Sequence, residues 1–308
     1  MITAWAEQSR ARLLELRDPG TGAWGYSQHR APAAEPTALA ALGLWVSRPQ
    51  SRPVDPESHA AAEWLAKIQG SSGSVGISAE HPEPGWPTPY AIWLWKALDV
   101  HKPGRERAVA WLLKRTGKPI PKANKDVAGH DSTIPGWPWI DDTYGWVEPT
   151  ALALLGLRAG GQFGHTRCQE GVRLLLDRAL TQGGWNYGNT LAYGNTLRPQ
   201  PESTGLALTA LAGLVSENTS ITRGLDYLQT TLPTTRAASS LAWGLIGLAA
   251  WGQTPATAET WLEEASTSCL PKPDSTRRLG LLLLASNIQR WTPLFQPGQT
   301  EDRHDAQD

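Results

Sequence analysis

One ten-residue segment recurs along this chain and limits what it can fold into. Glu35-Pro36-Thr37-Ala38-Leu39-Ala40-Ala41-Leu42-Gly43-Leu44 is repeated almost letter for letter as Glu148-Pro149-Thr150-Ala151-Leu152-Ala153-Leu154-Leu155-Gly156-Leu157. A third copy is Glu202-Ser203-Thr204-Gly205-Leu206-Ala207-Leu208-Thr209-Ala210-Leu211. Trp24 precedes Glu35, and Trp137 precedes Glu148, by the same interval, so the loop leading into the segment is copied with it. A repeat of this kind marks stacked supersecondary units, none of which buries its apolar face alone.

The unit reads as an amphipathic helix, a Gly/Trp loop and a nearly all-apolar helix. Second-type helices are expected to begin near 35, 88, 148, 202, 235 and 274, and first-type helices to span 3–17, 57–69, 104–115, 167–181, 219–231 and 256–267. In Gly171-Val172-Arg173-Leu174-Leu175-Leu176-Asp177-Arg178, polar residues interrupt apolar ones at helical spacing. A helix that is apolar all round must be enclosed by protein, whereas an amphipathic one keeps a face in water. The sequence therefore predicts an all-α fold, an α/α toroid of six inner and six outer helices. Alternation makes the inner helices parallel and gathers every outer-to-inner loop at one end. Those loops are long in the first four units and short in the last two, giving one elaborated rim. The ring is expected over 1–290, with a polar, disordered C-terminal tail over 291–308.

Composition supports one continuous core. The 308 residues are 40 % hydrophobic and only 19 % charged. There are 28 basic and 29 acidic residues with no run of Lys and Arg, so no footprint for nucleic acid is visible. No stretch approaches the roughly 18 apolar residues of a transmembrane segment, and the N-terminus lacks a basic segment followed by an apolar run, so the cytoplasm is the expected location. Cys168 and Cys269 form no metal-like pair and are read as unreactive thiols. Tryptophan is the outlier. There are 16, against two Phe and six Tyr, and many sit beside glycine, as in Gly136-Trp137-Pro138-Trp139.

The segments Gly183-Gly184-Trp185-Asn186-Tyr187-Gly188, Gly22-Ala23-Trp24-Gly25-Tyr26 and Gln69 to Gly73-Ser74-Val75-Gly76, with the Ala/Leu helices that follow, resemble the prenyltransferase and squalene oxidase repeats. These are the repeats of squalene and oxidosqualene cyclases and of protein prenyltransferase β subunits, and the resemblance covers roughly residues 1 to 290. It implies a terpenoid-cyclase-like or isoprenoid-binding enzyme that takes a hydrophobic polyprenyl or squalene-type substrate in a Trp-lined central cavity. This chain departs from those families in three ways. Squalene cyclases have two helical domains and this chain has room for one, which leaves a place for a second helical-domain subunit. Their Asp-x-Asp-Asp acid motif is reduced here to Ile140-Asp141-Asp142-Thr143. The Asp-x-Cys pair and later His that bind zinc in the prenyltransferases are missing, which argues against zinc. Magnesium enters only if the substrate is a diphosphate.

Candidate catalytic residues follow from what alkene or epoxide protonation needs, a carboxyl kept protonated by burial or by a second carboxylate. Asp141 and Asp142 are neighbouring aspartates at the entry to an inner helix. Glu35, Glu148 and Glu202 each open an inner helix, where a carboxylate meets the helix dipole; parallel helices bring all three to one rim, to act as acid, base or magnesium ligand. Candidate substrate-binding aromatics are Trp24, Trp86, Trp137, Trp139, Trp146, Trp185 and Tyr187, whose faces attract a cation. The alternative role for these tryptophans is to lock adjacent helix pairs, and Tyr26, Tyr90, Tyr144 and Tyr193 divide in the same way. His29, His81, His130 and His165 show no metal-ligand spacing. Two other readings stay open: a glycan-active (α/α)6 barrel, whose cleft also uses tryptophans and carboxylates, and a non-catalytic interaction toroid.

Overall fold

The computed structural model describes residues 2–49, 55–121 and 129–296. It is a ring of helix pairs. The outer helices are α1 (Ala4–Glu15), α3 (Pro56–Lys67), α5 (Lys102–Lys114), α7 (Thr166–Asp177), α9 (Thr219–Thr231) and α11 (Ala258–Cys269). The inner helices are α2 (Ala34–Val46), α4 (Thr88–Leu98), α6 (Val147–Ala159), α8 (Pro201–Leu211), α10 (Ala238–Ala250) and α12 (Thr276–Ser286). Inner helices touch in the order α2, α4, α6, α8, α10, α12, and α12 returns to α2 to close the ring. Among the described residues the only strands are two very short ones, Leu191–Ala192 and Asn195–Thr196, which pair in the loop before α8. The fold is the α/α toroid that the repeats predict.

Sequence explains why each helix takes its place. All of α2 except Trp45 is buried, whereas α7 buries Cys168, Gly171, Leu174 and Leu175 and exposes Gln169 and Arg173 on its other face. Glycines allow the inner helices to meet backbone to backbone. A Cβ on Gly280 would lie 2.6 Å from the Leu39 carbonyl oxygen, and one on Gly205 would lie 2.0 Å from that of Trp243. The first contact closes the ring between α12 and α2, and the second draws α8 onto α10.

The repeated loop is built by a repeated hydrogen-bond pattern. Oγ1 of Thr37, Thr88, Thr150 and Thr204 accepts from the backbone N–H of Trp24, Val75, Trp137 and Trp185 at 2.9 to 3.0 Å. The tryptophan side chains complete it. The indole N–H groups of Trp24, Trp137 and Trp185 donate to the carbonyls of Leu13, Leu112 and Leu175 at 2.6, 2.9 and 2.6 Å. Each carbonyl lies in the last turn of the outer helix just completed, where no intrahelical N–H is available to it. On the far side, Trp137 rests on Gly171 of α7 and Trp185 on Gly224 of α9. These indoles cap one outer helix and pack on the next.

The opposite end is floored. Trp291 and Phe295, within the segment that the sequence assigns to the tail, are buried against Trp93 and Trp243, with ring centroids between 5.0 and 6.3 Å apart. Arg158, at the end of α6, ties the floor down by donating to the carbonyls of Phe295, Thr209 and Ala210. A cation there meets the negative ends of α6 and α8. Burial pulls its pKa down to about 10, which leaves it charged at neutral pH. The rest of the expected tail, 297–308, lies outside the described residues.

Candidate active site

Within the ring, at the end that carries the long loops, is a cavity of about 600 Å³. Its wall is largely apolar, made by Ile77, Pro84, Trp86, Tyr90, Trp139, Ile140, Leu152, Leu206 and Trp243. Its charged residues are Glu35, Glu148, Glu202 and Arg277. The repeat accounts for their meeting. Glu35, Glu148, Glu202, Ser239 and Arg277 each occupy the second position of their inner helix, so parallel helices project them to one level.

Arg277 organises this level. Its Nε donates to Glu35 Oε1 at 2.8 Å, Nη2 to Glu202 Oε1 at 2.6 Å and Nη1 to Ser239 Oγ at 2.6 Å. A cation in the first turn of a helix opposes the dipole, and the two carboxylates offset that cost. Burial alone would lower the Arg277 pKa; Glu35 and Glu202 raise it well above its ordinary value. Glu35 also accepts from Tyr26 at 2.6 Å and from Tyr90 at 3.3 Å. Burial and the Glu35 charge push both phenols up, so both remain neutral donors.

Glu148 has a different environment. Ser203 Oγ donates to its Oε1 at 2.8 Å, and among the described residues no ion pair neutralises it. Burial raises its pKa above the ordinary carboxyl value; the Ser203 hydrogen bond opposes this and the charge of Glu202 adds to it. Glu148 is thus the cavity carboxyl held toward its neutral, proton-carrying form.

The aromatic wall has a defined geometry. Trp86 stands edge-on to Trp139, with centroids 5.2 Å apart and planes at 84°, and edge-on to Tyr90 at 6.3 Å and 79°. Tyr90 in turn is edge-on to Trp93 at 4.8 Å. Edge-to-face contacts fix the rings relative to one another, and a ring face left open to the cavity attracts a cation.

Of the residues singled out from sequence, Glu35, Glu148, Glu202, Trp86 and Trp139 line the cavity, as do Tyr26 and Tyr90. Asp141 and Asp142 do not. Asp141 pairs with Arg115 at 2.6 Å with 67 % of its side chain exposed, and Asp142 is an exposed left-handed turn residue with φ 61°. Trp24, Trp137 and Trp185 are buried as helix locks instead. Trp146 stacks at a tilt on Tyr144, and Tyr187 is 59 % exposed and contributes its backbone carbonyl to Val147. Sequence reasoning missed Trp243 and Arg277. The signal for Arg277 is its register, since it occupies the position held by glutamate in three other inner helices. Among the described residues no group of three His, Cys, Asp or Glu side chains gathers into a metal site, and no helix is long and apolar enough to cross a membrane.

No protein-family model matches the chain, and no curated protein matches it. Solved structures do. A variant of the type II terpene cyclase MstE from Scytonema, in complex with geranylgeranyl dihydroxybenzoate, is similar with a TM-score of 0.59 at 14 % identity, over 94 % of this chain and 97 % of that one. An inactive variant of an α-1,6-mannanase from Salegentibacter, in complex with α-1,6-mannotetrose, matches with a TM-score of 0.61 at 12 % identity, over 94 % of this chain and 100 % of that one. A protein from Actinoplanes matches with a TM-score of 0.57 at 20 % identity, over 88 % of this chain and 81 % of that one. At such identities the likeness shows the fold alone, and the fold is shared by proteins with different chemistry.

Proposed function

We propose that this protein is a terpenoid-cyclase-like enzyme that isomerises a polyprenyl or squalene-type substrate within the central cavity. The observation that carries the reading is the company Glu148 keeps: a carboxyl pushed toward its neutral form faces the same apolar space as Trp86, Tyr90, Trp139 and Trp243. Such a group transfers its proton to a terminal alkene carbon or epoxide oxygen and is left as carboxylate. The carbocation formed is attacked by the next double bond of the folded chain, closing a ring and moving the charge along the aromatic wall. Loss of a proton from a carbon beside the final cation, back to carboxylate, restores an alkene and the acid. No atoms are gained or lost in the cycle, and the apolar wall keeps water from capturing the cation.

The likeness to MstE supports this reading, because a chain matched over almost its whole length there is in complex with a geranylgeranyl compound. A second helical-domain subunit is therefore not part of the proposal. The mannanase likeness supports a glycan reading to the same degree in fold. The site favours the first reading, because two of its three glutamates are tied to Arg277 and most of its wall is apolar.

The test is incubation of the purified protein with squalene, oxidosqualene and linear prenyl compounds, followed by mass spectrometry with chromatographic separation of isomers. Cyclised products of unchanged mass, lost in Glu148→Gln, are the expected result. No turnover of any isoprenoid, with α-linked oligosaccharides cleaved instead, would overturn the reading.

A further inference from the structure

The charge of the cavity says what kind of head group the substrate carries. Among the residues that line it, Glu35, Glu148 and Glu202 face a single cation, Arg277. Each of that cation's three nitrogens donates to the protein, to Glu35, Glu202 and Ser239 at 2.6 to 2.8 Å, and its charge is shared by two carboxylates. Tyr26 and Tyr90 add no positive charge, because both direct their hydroxyl protons at Glu35. A phosphate or carboxylate brought here would compete with Glu35 and Glu202 for Arg277 and would meet those carboxylates at close range. Like charges in a partly desolvated site repel strongly. The edge-on group of Trp86, Trp139 and Tyr90 acts in the same direction, since electron-rich ring faces attract cations and repel anions.

We infer that the cavity selects an isoprenoid whose head group bears no negative charge, preferring a protonated amine to an alcohol and an alcohol to a diphosphate. This rests on the isoprenoid reading above and narrows it, since that reading alone admits prenyl diphosphates. It also makes magnesium unnecessary, because no diphosphate is present to need a counter-ion.

The experiment measures binding of three ligands of one chain length, a polyprenol, the corresponding primary amine and the corresponding diphosphate. Each is titrated calorimetrically below its micellar concentration, with and without magnesium chloride. The amine should bind about tenfold tighter than the alcohol or better, which is the effect of roughly 1.4 kcal/mol of favourable electrostatics. The diphosphate should bind more weakly than the alcohol in both magnesium conditions. In Glu202→Gln, confirmed as folded by its melting curve, the preference for the amine should shrink several-fold. A diphosphate that outbinds the alcohol with or without magnesium overturns the inference and leaves the isoprenoid reading standing. So does an amine no tighter than the alcohol, or an amine preference unchanged in Glu202→Gln. If none of the three ligands binds, the isoprenoid reading fails, and this inference with it.

Discussion

Ser203 on α8 donates a 2.8 Å hydrogen bond to Glu148 on α6, so one inner helix fixes the acid carried by its neighbour. The bond is directed at Oε1, which leaves Oε2 as the oxygen able to present a proton to the cavity.

Glu148 makes stability depend on pH in a definite direction. Burial chiefly, with Glu202, raises its folded pKa above the ordinary value of 4.5. The unfolded chain therefore binds fewer protons in the interval between the two values, and stability falls as pH rises through it and then levels off. Replacing Glu148 with Gln removes the penalty. Urea denaturation should find E148Q more stable than the parent at neutral pH and no more stable well below pH 4.5. Turnover of the parent should decline as pH rises through the same ionisation. Ser203→Ala, which removes a hydrogen bond that favours the charged form, should move that decline to higher pH.

The two classes of tryptophan separate by experiment. Trp137→Phe deletes the donor to the Leu112 carbonyl and leaves that buried acceptor unpaired, a loss of about 1–3 kcal/mol. Trp86 lines the cavity and its indole N–H caps no helix among the described residues, so Trp86→Phe should change stability little, by less than ~1 kcal/mol. Thermal melts should show the first variant shifted down and the second near the parent. Turnover should show the reverse sensitivity, with Trp86→Phe impaired through a weaker cation–π face.

Most of the fold was legible because its cause repeats. The all-apolar helices, the Gly/Trp loops and the Glu-opened segments recur in register, and each expected helix overlaps an observed one. The site was legible in part for the same reason: Glu35, Glu148 and Glu202 converge because equivalent positions of parallel helices must. The loop aromatics were not separable in advance. Trp137 and Trp139 stand two residues apart, yet one caps α5 and the other lines the cavity. That choice depends on which indole finds a helix-end carbonyl, a tertiary property with no local signature. The same limit hid the role of residues 291–295. Their polar setting reads as the start of a tail, but Trp291 and Phe295 supply the floor that the ring otherwise lacks.

Asp141 gives a negative prediction. Its side chain is mostly exposed and pairs with Arg115 outside the cavity. Arg115, however, has only 5 % of its side chain exposed, so loss of the carboxylate leaves a buried guanidinium without its counter-charge, at about 1–3 kcal/mol. Asp141→Asn should therefore lower the melting temperature and still leave turnover at the parental level, assayed beside Glu148→Gln under the same conditions below both melting transitions. Loss of turnover in D141N would return the acid to the Asp-Asp turn and remove it from Glu148.

Arg277 gives the sharpest test of how the rim is held. In Arg277→Met the half-buried cation disappears while Glu35, itself 7 % exposed, remains beside Glu202 without it. Breaking one side of a buried pair is costly because the surviving charge loses its compensation, about 3–5 kcal/mol when burial is complete. Part of the Arg277 side chain reaches solvent, so about 2–3 kcal/mol is expected here, the value of a hydrogen bond to a charged group with its partner left behind. Glu35→Gln added to Arg277→Met removes the stranded carboxylate, and the double variant should recover part of the loss. The two changes must then be non-additive in a double-mutant cycle, with a coupling of 0.5 kcal/mol or more at about the scale expected for contacting residues. Additive losses would mean that Arg277 stabilises the ring by packing alone, with no electrostatic tie across the mouth of the cavity.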